Sequence, residues 1–186
     1  MIRHKLSGVG AAMITPFTAD GRIDYEALAS TVDYVIEGGA DYIVALGTTA
    51  ETPTLYMPER AVIAMFISNH IAGRVPLVIG VGGNSTSEVL DQLREFDLRR
   101  ADAILSVTPY YNKPSQEGLY QHFRTVSEHS PVPVILYNIP GRAGVNMSDE
   151  TTLRIARDFG NVIGVKEASG DIAQIQRCLL YTSPSP

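Results

Sequence analysis

The chain has 186 residues, 45% hydrophobic and 19% charged, which suits a folded globular protein and excludes whole-chain disorder. Its 15 Lys and Arg against 20 Asp and Glu give a net charge of −5 without a basic cluster, so nucleic acid is not an expected partner. No apolar run reaches the ~20 residues needed to cross a bilayer, the first residues lack the apolar stretch of a secretion signal, and the single cysteine, Cys178, excludes an internal disulfide framework; these features predict a cytoplasmic protein with no membrane partner.

The first apolar run is Val9–Phe17. Five more follow at Tyr42–Leu46, Pro76–Val81, Ala103–Val107, Val132–Tyr137 and Val162–Val165. They are rich in Val, Ile and Leu and nearly continuous in hydrophobicity, the pattern of strands buried on both faces of a parallel sheet. Helical patterns separate them. Asp24 caps a helix over Tyr25–Glu37 that Gly38 and Gly39 end. Pro58 suits the first turn of a second, with Val62, Met65 and Phe66 inward and its end near Gly73. Ser85 and Glu88 form a capping box before Val89, Leu93 and Phe96. Ser115 opens a helix carrying Leu119, Phe123 and Val126; Ser148 opens one with Leu153, Ile155 and Phe159, closed by Gly160; Asp171 starts a sixth, cut short.

Strand and helix thus alternate six times at about 30 residues per unit, the length of a βαβ repeat. A doubly wound sheet and a (β/α)8 TIM barrel both fit this alternation. The first run ends in Thr15-Pro16-Phe17 with no glycine-rich phosphate turn, and Gly80–Asn84 matches no nucleotide fingerprint, which favours the barrel. Eight units need roughly 250 residues. The expected fold is therefore an α/β TIM barrel truncated after about six βα units.

The chemically suggestive residues sit just after strands. Lys166 ends the sixth run; apolar neighbours strip solvent from an ammonium and favour the neutral amine that attacks a carbonyl. A lysine reaching to solvent, or paired with Glu167, is the structural alternative. Tyr137 ends the fifth run and can pass protons or serve as a core residue. In a barrel these two strands are neighbours, so both residues share one rim. Gly47-Thr48-Thr49-Ala50-Glu51 offers hydroxyls and amides to a carboxylate, or simply caps a helix. Tyr110 and Tyr111 follow the fourth run, as site or packing residues, and Arg142 lies on the loop after the fifth, where it can clamp a carboxylate or stay solvated. His4, His70, His122 and His129 are scattered away from strand ends, so no metal site is expected.

Five segments, Gly8–Phe17, Gly47–Glu51, Val107–Pro114, Leu136–Arg142 and Gly164–Gly170, together resemble the dihydrodipicolinate synthase family, pyruvate-dependent class I lyases and aldolases. The resemblance covers about residues 5–177. It implies that Lys166 forms an imine with pyruvate, that Tyr137 exchanges protons with it, and that Thr48 links a relay between Tyr137 and Tyr111, the latter supplied to a neighbouring subunit. It implies that Thr49 binds the pyruvate carboxylate and that Arg142 holds the carboxylate of L-aspartate 4-semialdehyde, in the diaminopimelate and lysine biosynthesis route. No cofactor is implied, and a homotetramer is. Arg142 separates the synthase from sialic-acid lyases and keto-deoxy-sugar aldolases, which usually lack it, although Ala143 and Ala50 stand where the synthase usually has Thr and Gly. Asn84, Glu88 and Tyr110 match positions that bind inhibitory lysine in sensitive members, while Thr52–Arg60 lacks the histidines or aromatic residue often found there. The other readings are a related pyruvate lyase or aldolase and a silent barrel fragment.

The likeness fades after Arg177, and the two Ser-Pro pairs of residues 178–186 cannot continue a helix. The reading is a partial barrel over 1–177 and a foreign tail over 178–186. A barrel missing two units leaves open strand edges, so the 186-residue product is expected to be insoluble or inactive while its parent gene encodes an active enzyme.

Overall fold

In the computed structural model, residues 5–182 are described, with side chains to 179; His4 and the Ser-Pro pairs beyond Thr182 lie outside the described residues. The chain divides into two compact units: Met1–Gly80 with Arg94–Ile104, and Val81–Leu93 with Leu105–Pro186.

The first unit contains β1 (Gly10–Ala12), α1 (Tyr25–Glu37), β2 (Tyr42–Ala45), α2 (Met57–Ile71) and β3 (Leu77–Gly80). β1 pairs with β2 and β2 with β3, all parallel, with Ala11 opposite Ile43 and Val44 opposite Val78. Next to β3 comes the start of β4 (Ala103–Val107): the Asp102 amide donates to the Leu77 carbonyl at 2.8 Å, and the Asp102 carboxylate accepts from the Leu77 amide at 3.0 Å. All four residues of β3 are buried, as a strand covered on both faces requires. A doubly wound sheet sets its first strand inside the sheet, either beside the fourth strand or between the second and third, whereas here β2 pairs directly with β3 and the start of β4 follows β3. The sequential order therefore excludes that alternative.

Local chemistry sets the helix ends. Asp24 accepts from the Ala27 amide at 2.9 Å, as expected of an N-cap. The α2 helix ends where Ala72 and Gly73 turn left-handed, at φ 50° and 80°. Its buried face differs from the expected one. Val62 and Met65 are 42% and 48% exposed, whereas Ile63, Ala64, Ile67 and Ile71 are buried. This helix carries apolar residues on nearly every face, so spacing alone did not select which stripe turns inward. The first strand is also shorter than its apolar run: regular pairing ends at Ala12, with one further bond from the Met13 amide to the Val44 carbonyl at 3.0 Å.

The second unit contains most of α3 (Thr86–Glu95), the end of β4, α4 (Gln116–His129), β5 (Val134–Asn138), a single turn α5 (Pro140–Ala143), α6 (Asp149–Asp158), β6 (Val162–Glu167) and α7 (Ile172–Thr182). The Thr108 amide at the end of β4 donates to the Tyr137 carbonyl of β5 at 2.9 Å, and β5 runs parallel to β6. Ser115 and Ser148 cap α4 and α6 by accepting from the Gly118 and Thr151 amides, each at 3.2 Å. Leu119, Phe123 and Val126 of α4 and Leu153 and Ile155 of α6 are buried, as their spacing predicts. The α7 helix spans Arg177 and Cys178 and continues to Thr182.

Candidate active site

The candidate residues gather at the carboxyl ends of strands: Tyr137 and Lys166 are the next-to-last residues of β5 and β6, and the others lie on the loops, turns or helix starts that follow β2, β3, β4 and β5. In the first unit, β2 leads into a tight turn in which Leu46 and Glu51 both take φ 54°. Gly80 at the end of β3 makes that turn possible, because a Cβ there would lie 1.9 Å from the Leu46 carbonyl oxygen. The turn residues Thr48–Ala50 form one 3-10 turn, anchored by the Thr15 hydroxyl donating to the Ala50 carbonyl at 2.8 Å. Thr48 and Thr49 are exposed, and neither hydroxyl bonds another described residue, so both are available to a ligand.

In the second unit, β5 and β6 bring two of the predicted residues together. Tyr137 stands opposite Lys166, and the Lys166 ammonium lies 4.5 Å from the centre of the Tyr137 ring. Tyr137 is 5% exposed. Lys166 is exposed, so of the two sequence readings the structure matches the lysine that reaches to solvent rather than the amine stripped of water by apolar neighbours. The reason is local: among the described residues β6 has a strand neighbour on one side, β5, and its other edge is open.

Two loops flank this pair. Tyr111 is 86% exposed and takes φ 70°, a left-handed conformation uncommon for an aromatic residue. Its amide donates to the Ala143 carbonyl at 3.2 Å, so the Tyr110–Lys113 loop is tied to the α5 turn that carries Arg142. The Arg142 guanidinium is exposed and makes no ion pair among the described residues. Asn112 donates from Nδ2 to the Asn84 carbonyl at 2.8 Å, which joins Asn84 to the loop of Tyr110. Glu88 is exposed in the first turn of α3, its amide reaching the Ser85 hydroxyl at 3.5 Å.

Sequence reasoning missed the polar cluster behind this rim. Asn138 and Glu167 directly follow Tyr137 and Lys166 on their strands and therefore face the other way. Asn138 Nδ2 lies 3.0 Å and 3.1 Å from the two Glu167 oxygens, and Gln174 of α7 donates to Glu167 at 3.0 Å. The signal was present as an Asn and a Glu one step past each candidate residue. His122, set aside above as a metal ligand, is buried in α4: burial lowers its pKa to about 4, and Nδ1 lies 2.8 Å from the Thr86 hydroxyl. No group of three or more His, Cys, Asp or Glu side chains suited to a metal occurs among the described residues.

A model of the dihydrodipicolinate synthetase family matches residues 5–185. The chain belongs to that family. Curated family relatives include the 4-hydroxy-tetrahydrodipicolinate synthase of Parabacteroides distasonis, 56% identical over 170 residues, covering 91% of this chain and 57% of the relative. That of Porphyromonas gingivalis is 50% identical over 186 residues, covering all of this chain and 62% of the relative. The chain thus spans about three-fifths of the length of these relatives. Solved family members agree in fold. Dihydrodipicolinate synthase from Aquifex aeolicus superposes with a TM-score of 0.91 at 38% identity, and that from Thermotoga maritima with 0.91 at 43%, each covering 96% of this chain and 60% of the solved one. The six βα units are those of the family's (β/α) fold.

Proposed function

We propose that the protein carrying this chain is a 4-hydroxy-tetrahydrodipicolinate synthase, condensing pyruvate with L-aspartate 4-semialdehyde. The observation that carries the reading is the register that sets Lys166 opposite Tyr137 at a strand end, with the ammonium 4.5 Å from the ring. The Lys166 amine attacks the pyruvate ketone, and loss of water leaves an imine. Loss of a methyl proton gives the enamine, with the iminium nitrogen as electron sink. The enamine carbon attacks the aldehyde, and its oxygen takes up a proton. The amine of the second substrate then displaces Lys166 from the imine carbon, closing the ring and regenerating the free amine.

In this scheme Tyr137 gives and takes the protons of imine formation, with Thr48 and Tyr111 relaying them. Thr49 holds the pyruvate carboxylate, and the unengaged Arg142 receives the carboxylate of the second substrate as a charge-assisted pair. No metal or organic cofactor enters the scheme. The exposed, left-handed Tyr111 suits a residue supplied to the site of a neighbouring subunit, and a homotetramer is the proposed assembly; one solved relative, 43% identical, is described as a monomeric variant. A cytoplasmic location fits a small-molecule enzyme, and no described helix is long and apolar enough to cross a membrane. Lysine binding at Asn84, Glu88 and Tyr110 is proposed as the regulatory site. Turnover is assigned to a protein of the relatives' length.

Borohydride reduction in the presence of labelled pyruvate tests the reading. One label per chain on the peptide containing Lys166, lost in Lys166→Ala, is the expected result. Absence of labelling in a folded full-length protein would sink it.

A further inference from the structure

The strands β5 and β6 do not pair in simple register. Val134 stands opposite Val162, but Ile135 stands opposite Gly164, so Ile163 is an extra residue, a β-bulge. Its consequence reaches the rim. Continued without the bulge from Val134 and Val162, the ladder would set Tyr137 opposite Val165 and leave Lys166 opposite Asn138. A one-residue slip also turns every side chain to the other face of the sheet. The juxtaposition of Tyr137 with Lys166 therefore depends on keeping this irregular register, and something beyond the bulge must hold it.

The group that does so is on the opposite face. We propose that Asn138 and Glu167 are positioning residues that lock the bulged register and so hold the Lys166 amine against Tyr137. Asn138 is fully buried. Its amide orientation is fixed by its neighbours: Oδ1 accepts from the Met147 amide at 3.0 Å, which leaves Nδ2 as the donor facing the Glu167 carboxylate. Every group bonded to that carboxylate is a donor, namely Asn138, the Ser169 amide at 2.8 Å and Gln174 at 3.0 Å. The Ala168 amide donates to the Asn138 carbonyl at 2.9 Å, closing the ladder one step past the pair. In the slipped register Asn138 would face Lys166, a second donor, and Glu167 would lose its strand partner. The pair thus penalises the wrong register as well as supporting the right one, and α7 joins in through Gln174.

This inference rests on the imine chemistry proposed above. Its test measures the rate of borohydride trapping of pyruvate at Lys166 in the full-length protein, with folding checked by near-UV circular dichroism. Asn138→Asp places two carboxylates face to face and should slow trapping by about 10- to 100-fold, the scale of a displacement near 1 Å. Glu167→Gln alone, near in shape, should slow it less. The double variant Asn138→Asp with Glu167→Gln reverses donor and acceptor between the two strands; because Asn138 Nδ2 also donates to Asn146 Oδ1 at 2.7 Å, it should restore part of the rate, together with the wild-type pH profile. Asn161→Ala is the structural control: Asn161 donates to the Ser127 carbonyl at 2.8 Å before the bulge, so its loss should lower stability and leave trapping unchanged. If Asn138→Asp does not fold, Glu167→Gln and the double variant decide. Trapping in folded single variants within twofold of wild type, or no rescue in the double variant, would overturn the positioning role. Failure of the wild-type protein to trap pyruvate would instead overturn the proposed function.

Discussion

The most informative perturbation outside the site is protonation of His122. This α4 residue is 4% exposed, its ring lies edge-on to Phe123 at 5.1 Å, and its one hydrogen bond joins Nδ1 and the Thr86 hydroxyl. Nε2 has no partner among the described residues, so the charged ring, in which both nitrogens carry a proton, holds one N–H without an acceptor in a desolvated place. Burial accordingly lowers the pKa from 6.5 to about 4. Because the folded value lies below the unfolded one, the unfolded chain binds the proton first. The stability that neutral His122 contributes is complete above pH 6.5 and is lost as pH falls towards 4. Near pH 4.5 the loss comes to roughly 2.5 kcal/mol, at about 1.4 kcal/mol per tenfold in proton affinity. Urea unfolding near pH 7.5 and pH 4.5, for wild type and His122→Gln, isolates this contribution from the other histidines. Wild type should lose roughly 2.5 kcal/mol more than the variant across that interval. Equal losses in the two proteins, or an NMR titration of His122 near 6.5 in the folded state, would refute the reasoning.

Four further outcomes follow from particular contacts. Gly80→Ala drives a Cβ into the Leu46 carbonyl oxygen at 1.9 Å, so the turn carrying Thr48 and Thr49 must move; thermal unfolding should show a loss above about 3 kcal/mol. Asp24→Ala removes the cap on the Ala27 amide and should cost about 1 kcal/mol in urea unfolding, with no change in pyruvate trapping. Tyr137→Phe should slow trapping at Lys166 by about 100-fold, because the ring stays packed and only the proton-passing hydroxyl is lost. Arg142→Ala should raise the KM for L-aspartate 4-semialdehyde about 10- to 100-fold and leave trapping untouched, and an equal effect on pyruvate would reassign the guanidinium.

Much of the architecture was legible because its signals are local. Asp24, Ser115 and Ser148 precede apolar periodicity and accept the hydrogen bonds expected of caps. The β4 strand was placed at its observed bounds, since its Ala103–Val107 run is bounded by polar and proline residues. Misreadings arose where several local answers were equivalent. In α2, apolar residues at 62, 63, 65, 66 and 67 give no single inward stripe, and packing chose Ile63 and Ile67 over Val62 and Met65. For Lys166 the sequence left a desolvated amine and a solvent-reaching lysine both open, because burial of a strand end depends on what covers it, and the described β6 is open on one side.

By itself, the sequence determined the alternation of six strands and helices, their caps, and the candidate residues at strand ends, because composition and spacing act over a few residues. Only the tertiary structure decided which residue faces which across strands. The bulge at Ile163 is invisible in a run of Val, Ile and Gly, and it shifts the register so that Tyr137 rather than its neighbour stands opposite Lys166. Strand register is a pairwise property: it is set by contacts between Asn138 and Glu167, residues 29 apart, and no single stretch of chain contains it.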